Sequence, residues 1–371
     1  MPIISGRDVI ERLDLSRNAI RDQVRERDAD FRASGPAWPW TLVTQQHSYV
    51  FDLPAEHLRR VRLHADVING TLGAESYLMD PLRDGNAYAR DSGYEFLGEG
   101  IPLDRWAREY PVPGMEKIQY GYNYKDLVLN VITVPRQQNA CNFHRLIDDR
   151  EARHVFVEIG GGYGSFALDM RQILPNCAYV IVDLPETLIF SASYLLSHCP
   201  DLRVYVYAPG DNPAEILKDT DSFDFAFIPN YRASALSALP HIDFGYNSIS
   251  FPEMSLDSVK QYLDLISPKL RRFFMSVNLR YPLDRTIKRP GTDETLGDYF
   301  KLFPTPAEYR SQLSLTEDQY NNPSFRPVFL CTTDKCRPLK QTELHMFYNP
   351  NYGKVTVNRK ASGAAIVRRT G

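Results

Sequence analysis

Apolar positions in the first part of the chain recur at helical spacing. Between charged residues they occupy positions 10, 13, 20, 24 and 31, which predicts an amphipathic helix that ends near Ser34. We expect this helix to pack on a neighbouring element or across a dimer. A second helix is predicted from Glu56 to about Leu72, and a third from Asp126 to Ile147, interrupted at Pro135. The polar residues of this third helix either face solvent or reach the functional site.

From residue 154 onward, short apolar runs alternate with helical segments, which is typical of a parallel sheet covered on both faces. The strands are predicted at 155–159, 179–182, 223–228, 242–247, 273–279, 327–332 and 343–348, with an additional short strand at 204–207. Ser255 is the expected cap of the helix after the 242–247 strand. The fold class is therefore α/β, a Rossmann-like, doubly wound, mostly parallel seven-stranded sheet with a mainly helical N-terminal cap region.

The pattern divides the chain into three parts. Residues 1–150 form a mainly helical N-terminal region that would shape the substrate pocket and support a homodimer. Residues 151–353 form the Rossmann-like domain, and 354–371 a basic, flexible tail. In the first part, residues 73–124 are rich in Gly, Pro and Tyr, and the tyrosines either stack on a hydroxylated substrate or pack in the core.

Composition narrows the classes of partner. A formal net charge of −3, with 24% charged and 43% hydrophobic residues, gives no reason to expect nucleic acid or an anionic membrane. The charged N-terminus does not resemble a signal peptide, and no apolar run has transmembrane length, so we expect a cytoplasmic protein. The five cysteines are scattered, which favours free thiols, and no cluster of carboxylates indicates a metal site.

The stretch HVFVEIGGGYGSFALDMRQILPNCAYVIVDLP, residues 154–185, carries the clearest chemistry. A strand ends in Glu158, a glycine turn and a helix follow, and a second strand ends on Asp183. Such a unit binds adenosine-containing cofactors, since glycines allow close approach and the second acid can accept the ribose hydroxyls. A dinucleotide site, however, requires Gly-x-Gly-x-x-Gly, and here Ser165 occupies the third glycine position. An acid at the end of the first strand suits a cation, such as the sulfonium and amino group of S-adenosylmethionine.

Three segments, in this order along the chain, strengthen this interpretation. EIGGGYGSFA and VDLPETL resemble motifs I and II of class I S-adenosylmethionine-dependent methyltransferases. The later segment IDFGYNSISFPEMSLDSVKQYL resembles the bacterial sugar O-methyltransferase family through its Asn-x-x-Ser-Phe-x-Glu-Met pattern. The resemblance covers about a third of the chain and implies an enzyme with S-adenosylmethionine as its cofactor and a small molecule, a sugar or other natural product, as its substrate.

The resemblance also implies roles for particular residues. Those expected to line the methionine part of the cofactor are Glu158, Gly160, Gly162 and Gly164, and Tyr163 is included among the cofactor-binding residues. Asp183 would hold the ribose, with Leu184 beside the adenine and Asn230 near its edge. Asn247 and Ser248 would face the reactive methyl group.

Transfer to a hydroxyl requires removal of its proton, so a base is expected. Glu253 follows the 242–247 strand at the end where open α/β sheets place ligands, and we rank it first. His144 is the second candidate. His241 precedes the same strand and should lie at the opposite end, while Asp243 is expected to be structural.

Three alternatives stay open on the sequence. The acceptor is a nitrogen or carbon of a natural product, the protein is a nicotinamide-dependent dehydrogenase, or it binds the cofactor without turnover. They differ in their need for a base and in which cofactor they bind.

Overall fold

The computed structural model describes residues 3–6, 8–34, 48–59, 61, 122–124, 127–129, 140, 143, 147, 149–248, 250–251, 254–277, 345–348, 355–359 and 365–369. Two short strands, β1 (Tyr122–Tyr124) and β2 (Leu127–Leu129), form an antiparallel pair. The central sheet then contains β3 (His154–Ile159), β4 (Cys177–Asp183), β5 (Val204–Val206), β6 (Phe225–Pro229), β7 (Ile242–Ser248), β8 (Leu270–Val277) and β9 (His345–Tyr348).

Seven strands lie in the order β5-β6-β4-β3-β7-β8-β9. The first six are parallel and β9 is antiparallel to β8. The predicted α/β, doubly wound and mostly parallel fold is confirmed. The set of strands in the described part of the chain differs from the predicted set. The additional strand at 204–207 is the edge strand β5, whereas the predicted strand 327–332 lies outside the described residues.

Both faces of the sheet are covered by helices, because successive residues of each buried strand point to opposite sides. Phe156, Tyr179 and Phe244 face a layer made of α1 (Val9–Ser34), α3 (Ser165–Ile173) and α4 (Pro185–His198). Val157, Val180 and Phe274 face the other layer. That layer contains α5 (Pro213–Lys218), a 3-10 helix (Asn230–Ala238) and α6 (Leu256–Ile266).

The first helix is part of the sheet's own core. Helix α1 packs against α4, and its Leu13 and Ile20 are fully buried in the same cluster as Phe156. Ahead of the helix, Ile4 forms a two-way backbone bridge with Val204, N–H to O at 2.7 and 3.0 Å, along the outer side of β5. This bridge covers a sheet edge that would otherwise present unpaired N–H and C=O groups. The predicted helix is confirmed, while the domain division at residues 150/151 stays a prediction.

One expectation from the periodicity was wrong. The helix predicted from Asp126 is replaced in part by strand β2, because the apolar run Leu127–Leu129 pairs antiparallel with β1. Within the same predicted helix, Ala140 and Phe143 are helical, and Phe143 is buried. The predicted helix from Glu56 is described only as the short α2 (Ala55–Leu58), and its remainder, apart from the helical residue Val61, lies outside the described residues.

The C-terminal segment contains a strand pair that hydrophobic periodicity did not predict. Residues 354–371 were expected to form a flexible tail, yet β10 (Val355–Arg359) and β11 (Ala365–Arg369) pair antiparallel over five residues. Basic charge indicated a tail, but the branched residues Val355, Val357, Ile366 and Val367 favour strands, and backbone pairing satisfies their polar groups.

Candidate cofactor site

The carboxyl ends of four neighbouring strands bring the predicted cofactor residues together. Ile159 of β3 is paired with Val182 of β4 on one side and with Asn247 of β7 on the other. Asp183 of β4 is paired with Pro229 of β6, directly before Asn230. The glycine turn, Asp183, Asn230 and Asn247 therefore share one edge of the sheet, where open α/β sheets place ligands.

Three glycines of the turn after β3 have left-handed backbone. Gly160, Gly162 and Gly164 have φ angles of +74°, +57° and +90°, which side chains other than glycine rarely tolerate. A Cβ atom on Gly160 would lie 2.2 Å from Ser250 Oγ, and one on Gly164 would lie 3.2 Å from Cα of Ser191 in α4. The glycine that lets two elements approach closely is thus Gly164, one position before the Ser165 that replaces the dinucleotide glycine.

Gly161 has a separate function in the turn. A Cβ atom there would lie 2.6 Å from Cγ2 of Ile181 on β4. No role for this glycine was predicted within the run of three, because its neighbour Ile181 comes close only when β3 pairs with β4. Its absent side chain allows the turn to fold down onto the second strand.

Asp183 fixes the turn from the neighbouring strand. Its Oδ2 accepts a hydrogen bond from the Gly162 N–H at 3.0 Å, and its Oδ1 accepts one from the Leu184 N–H at 2.7 Å. The carboxylate is half-buried. Burial, and in addition the nearby charge of Asp183, raise the pKa of the Tyr262 hydroxyl on α6. The turn therefore presents a carboxylate where a pyrophosphate site presents free N–H groups.

Glu158 lies beneath the turn and is almost inaccessible. It is 3% exposed, and its Oε2 accepts a hydrogen bond from the Tyr179 hydroxyl at 2.8 Å. The Tyr179 ring stacks on Phe156 with centroids 4.6 Å apart. Burial raises the pKa of Tyr179 well above its usual range, and the adjacent Glu158 carboxylate raises it further. Direct contact between Glu158 and the methionine part of a cofactor stays a prediction.

Asn247 connects the ends of β7 and β3. Its side chain is fully buried, and Nδ2 donates to the Ile159 carbonyl oxygen at 2.8 Å and also to Ser250 Oγ. Ser250 was missed as a site residue, although it is the serine of the Asn-x-x-Ser pattern. Its position against Gly160 emerges only when the two loops meet. That Asn247 and the half-buried Ser248 face a reactive methyl group stays a prediction.

The remaining cofactor candidates differ in accessibility. Asn230 and Leu184 are half-buried. The Oδ1 atom of Asn230 is buried and accepts no hydrogen bond from the part of the chain that the structure describes. Tyr163, by contrast, is fully buried, with its ring 5.1 Å from that of Tyr194 in an edge-to-face arrangement. Its side chain belongs to the core, so only its backbone lies at the turn.

The two candidate bases, Glu253 and His144, lie outside the described residues. Phe251 and Met254, which flank Glu253 in the chain, follow the carboxyl end of β7, and the Phe251 ring is buried and parallel to Phe274 at 6.1 Å. These flanking residues lie beyond the carboxyl end of β7, while the role of Glu253 stays a prediction.

His241 and Asp243 lie at the opposite, amino end of β7. Asp243 Oδ2 accepts the Val155 N–H at 2.9 Å and lies 3.3 Å from His241 Nε2 and 3.7 Å from His154 Nδ1. Burial acting alone would raise the pKa of Asp243, but these contacts hold it below its usual value. The expectation that His241 lies away from the site, and that Asp243 is structural, is confirmed.

Within the described residues, no three His, Cys, Asp or Glu side chains converge as a metal site would require. None of the helices in this part of the chain is long and apolar enough to cross a bilayer. Two of the five cysteines, Cys177 and Cys199, are described and are free thiols. Burial raises the pKa of the Cys177 thiol to about 12 and that of Cys199 to about 11.

No family model matches this chain, and no curated protein sequence matches it. Among solved structures, it is similar to an O-methyltransferase family protein from Burkholderia thailandensis, with 12% identity and a TM-score of 0.29 over 43% of this chain and 42% of that one. A precorrin-6y C5,15-methyltransferase from Geobacter metallireducens has 14% identity and a TM-score of 0.25 over 48% and 72% of the two chains. The mitomycin 7-O-methyltransferase MmcR has 14% identity and a TM-score of 0.27 over 67% and 53%.

The chain thus spans less than half the length of the first of these structures. The fold class follows from the strand order and from the two buried faces of the sheet. The candidate chemistry follows from the residues at the carboxyl edge of the sheet.

Those residues fit an adenosine-containing cation better than a dinucleotide. Ser165 occupies the third glycine position of a dinucleotide turn, and the buried Glu158 carboxylate beneath the turn would repel a pyrophosphate. A ribose offers hydroxyl donors to the Asp183 carboxylate, and a sulfonium or ammonium group is attracted by the negative charge of the two carboxylates. The buried Asn230 Oδ1 requires a donor, which the amino group of an adenine provides.

Proposed function

We propose that this protein is an S-adenosylmethionine-dependent methyltransferase. The observation that carries the proposal is the Asp183 carboxylate bound to the Gly162 N–H within a turn of three left-handed glycines. Asp183 would accept hydrogen bonds from the ribose hydroxyls, and Asn230 would accept one from the adenine amino group. The glycine turn would lie along the methionine part of the cofactor. When bound, the cofactor supplies a methyl group already activated by the sulfonium.

We infer further that the acceptor is a hydroxyl of a sugar, a sugar-like molecule or another small natural product. This step is supported by the resemblance of residues 242–263 to sugar O-methyltransferases. The chain must align the acceptor oxygen with the methyl group and remove its proton. Glu253, in the loop after β7, is the first candidate for the proton acceptor, and His144 is the second.

The first experiment tests the cofactor by isothermal titration calorimetry with S-adenosylhomocysteine, NAD and ATP. We expect only S-adenosylhomocysteine to bind. Asp183→Ala removes a charged acceptor worth about 1.5–3 kcal/mol, so binding should weaken roughly 10- to 150-fold. Asp211→Ala is the control, since Asp211 follows a different strand and caps a turn at Ala208. Binding of NAD instead would support the dehydrogenase and overturn this proposal.

The second experiment tests the acceptor by transfer of a labelled methyl group to a panel of sugars and hydroxylated natural products. Glu253→Gln should lower kcat about 100-fold or more if Glu253 removes the proton, with little change in S-adenosylhomocysteine binding. His144→Gln is measured in parallel. Labelled amine or carbon products, formed at undiminished rates in both variants, would instead identify an N- or C-methyltransferase. Cofactor binding without any transfer would identify a non-catalytic binder.

A further inference from the structure

Helix α1 reaches the carboxyl edge of the sheet through two consecutive charged residues. The first contact is a buried ion pair between Arg27 and Glu186, in the first turn of α4. Arg27 Nη1 and Nη2 donate to the two oxygens of Glu186 at 2.6 and 2.7 Å. Glu186 is 5% exposed and follows Asp183 by three residues. Two parallel bonds between planar groups fix orientation as well as distance.

The second contact is made by Glu26. Its carboxylate accepts hydrogen bonds from the Tyr231 hydroxyl at 2.8 Å and from Arg232 Nη2 at 2.6 Å. Tyr207, after β5, donates to it from 3.0 Å. Burial would raise the pKa of Glu26, but these donors outweigh burial and hold it below its usual value. Tyr231 and Arg232 directly follow Asn230.

These two contacts lie beside the two residues assigned to the adenosine. Strands β4 and β6 are neighbours, and Asp183 ends one while Asn230 follows the other. One helical dipeptide therefore holds the segment after each strand. Gln23 also fixes this stretch of α1 to the residues that follow β5 and β6. Its Nε2 donates to the Tyr207 carbonyl oxygen at 2.7 Å, and its backbone carbonyl oxygen lies 3.1 Å from the Tyr231 hydroxyl.

We propose that Glu26 and Arg27 are positioning residues that set the distance between Asp183 and Asn230 and so determine how the adenine base is recognised. This inference rests on the proposed function. The pairs act through the backbone: Arg27 fixes the start of α4 and hence the Asp183–Leu184 turn, while Glu26 fixes the 3-10 helix that begins at Asn230. Without them only the sheet pairing of Asp183 with Pro229 holds the two segments together, so the start of α4 and the 3-10 helix can shift beyond it and displace the buried Oδ1 of Asn230 from the base.

The test measures base discrimination rather than affinity alone. Calorimetry compares S-adenosylhomocysteine with S-inosylhomocysteine, in which an oxygen replaces the adenine amino group. The wild type should prefer the adenine ligand roughly 5- to 10-fold, the value of one hydrogen bond to a buried acceptor. Glu26→Gln and Arg27→Glu should reduce this preference to less than about twofold and weaken S-adenosylhomocysteine binding roughly 10-fold. A variant that is only less stable would lose affinity for both ligands equally.

Two further variants separate positioning from loss of folding. The exchanged pair Arg27→Glu with Glu186→Arg should recover most of the base preference, since the ion pair is restored with its ends reversed. Arg25→Ala is the matched control, because Arg25 pairs with Asp22 on the same helix with side chains 72% and 51% exposed, and it should bind like the wild type. Thermal unfolding confirms that each variant is folded.

The outcomes distinguish failure of the proposed function from failure of this inference alone. A wild type that binds neither ligand overturns the proposed function and this inference with it. A wild type that binds S-adenosylhomocysteine, with folded Glu26→Gln and Arg27→Glu variants that keep its base preference, overturns the inference alone. Failure of the exchanged pair to recover the preference, in a folded protein, also contradicts it.

Discussion

At the scale of single residues, the site depends on positions where a side chain is missing. Gly160 has a left-handed backbone and also lies against Ser250, so both its conformation and its lack of a Cβ atom are needed. Gly210 has a similar φ of +92°, yet no atom lies within 4 Å of where its Cβ would be. Comparing substitutions at these two glycines separates the destabilisation caused by backbone strain from the destabilisation caused by steric crowding.

Gly160→Ala should therefore destabilise the protein more than Gly210→Ala. Both variants incur the left-handed strain of about 1–2 kcal/mol, but only the first forces Ser250 and the Asn247 contact apart. We expect an additional loss of about 1–3 kcal/mol in the free energy of unfolding, measured in urea. Ser250→Gly combined with Gly160→Ala should recover part of it. Equal losses in the free energy of unfolding for the two single variants would show that crowding against Ser250 does not destabilise the Gly160 variant.

At the scale of elements, a bidentate ion pair connects the start of β3 to β8. Arg272 of β8 donates to both carboxylate oxygens of Asp149, which precedes β3. These hydrogen bonds lower the pKa of Asp149 to about 2, more than burial raises it. The unfolded chain releases this proton near pH 4. The pair therefore contributes its full stability above about pH 4 and loses it as the pH falls towards 2.

Arg272→Met should make the free energy of unfolding depend less steeply on pH between pH 4 and pH 2. Without the arginine, Asp149 titrates near its unfolded value, so folding no longer releases a proton between pH 4 and pH 2. The free energy of unfolding of the wild type should fall more steeply across this window than that of the variant, in urea titrations at several pH values. Lys260→Met, which breaks the exposed Lys260–Asp264 pair, serves as the control. An unchanged slope in Arg272→Met would refute the assignment.

At the scale of the whole molecule, the N-terminal helix and the sheet share one core. Leu13 and Ile20 are fully buried against α4, and the Phe143 ring lies 5.2 Å from both Phe156 and Phe273. Burial of each such side chain contributes about 1.5–3 kcal/mol, and whole domains are stable by only about 5–15 kcal/mol. The sheet's face towards α1 is therefore covered in part by residues that precede 151.

A fragment of residues 151–353 should consequently fail to fold on its own. Its exposed apolar face, including Phe156 and Phe244, would favour association, and we expect no cooperative unfolding transition and a loss of near-ultraviolet circular dichroism. The matched control is the chain shortened to residue 353, which keeps α1 and should retain a cooperative transition. A fragment 151–353 that unfolds cooperatively would support the division at residue 150/151 as a true domain boundary.

The sequence alone determined what depends on neighbours along the chain. Hydrophobic periodicity located α1, most strands of the sheet and the α6 helix, whose Ser255 cap accepts the Ser258 N–H at 3.1 Å as expected. Glycines and acids at strand ends located the edge of the sheet where Asp183 and Asn230 lie. Local signals failed where pairing decided the outcome, as in β2, β10 and β11, because a strand is stabilised by a partner that periodicity does not reveal.

Only the tertiary structure decided contacts between residues far apart in sequence. It placed Ser250 against Gly160, buried the Tyr163 ring, turned Glu158 towards Tyr179 and set Asp183 on the Gly162 N–H. It also brought Glu26 and Arg27 to the ends of β4 and β6, about 160 to 205 residues away along the chain. Sequence patterns predict which residues are buried on each element, whereas the packing of elements against one another selects which of their polar groups meet.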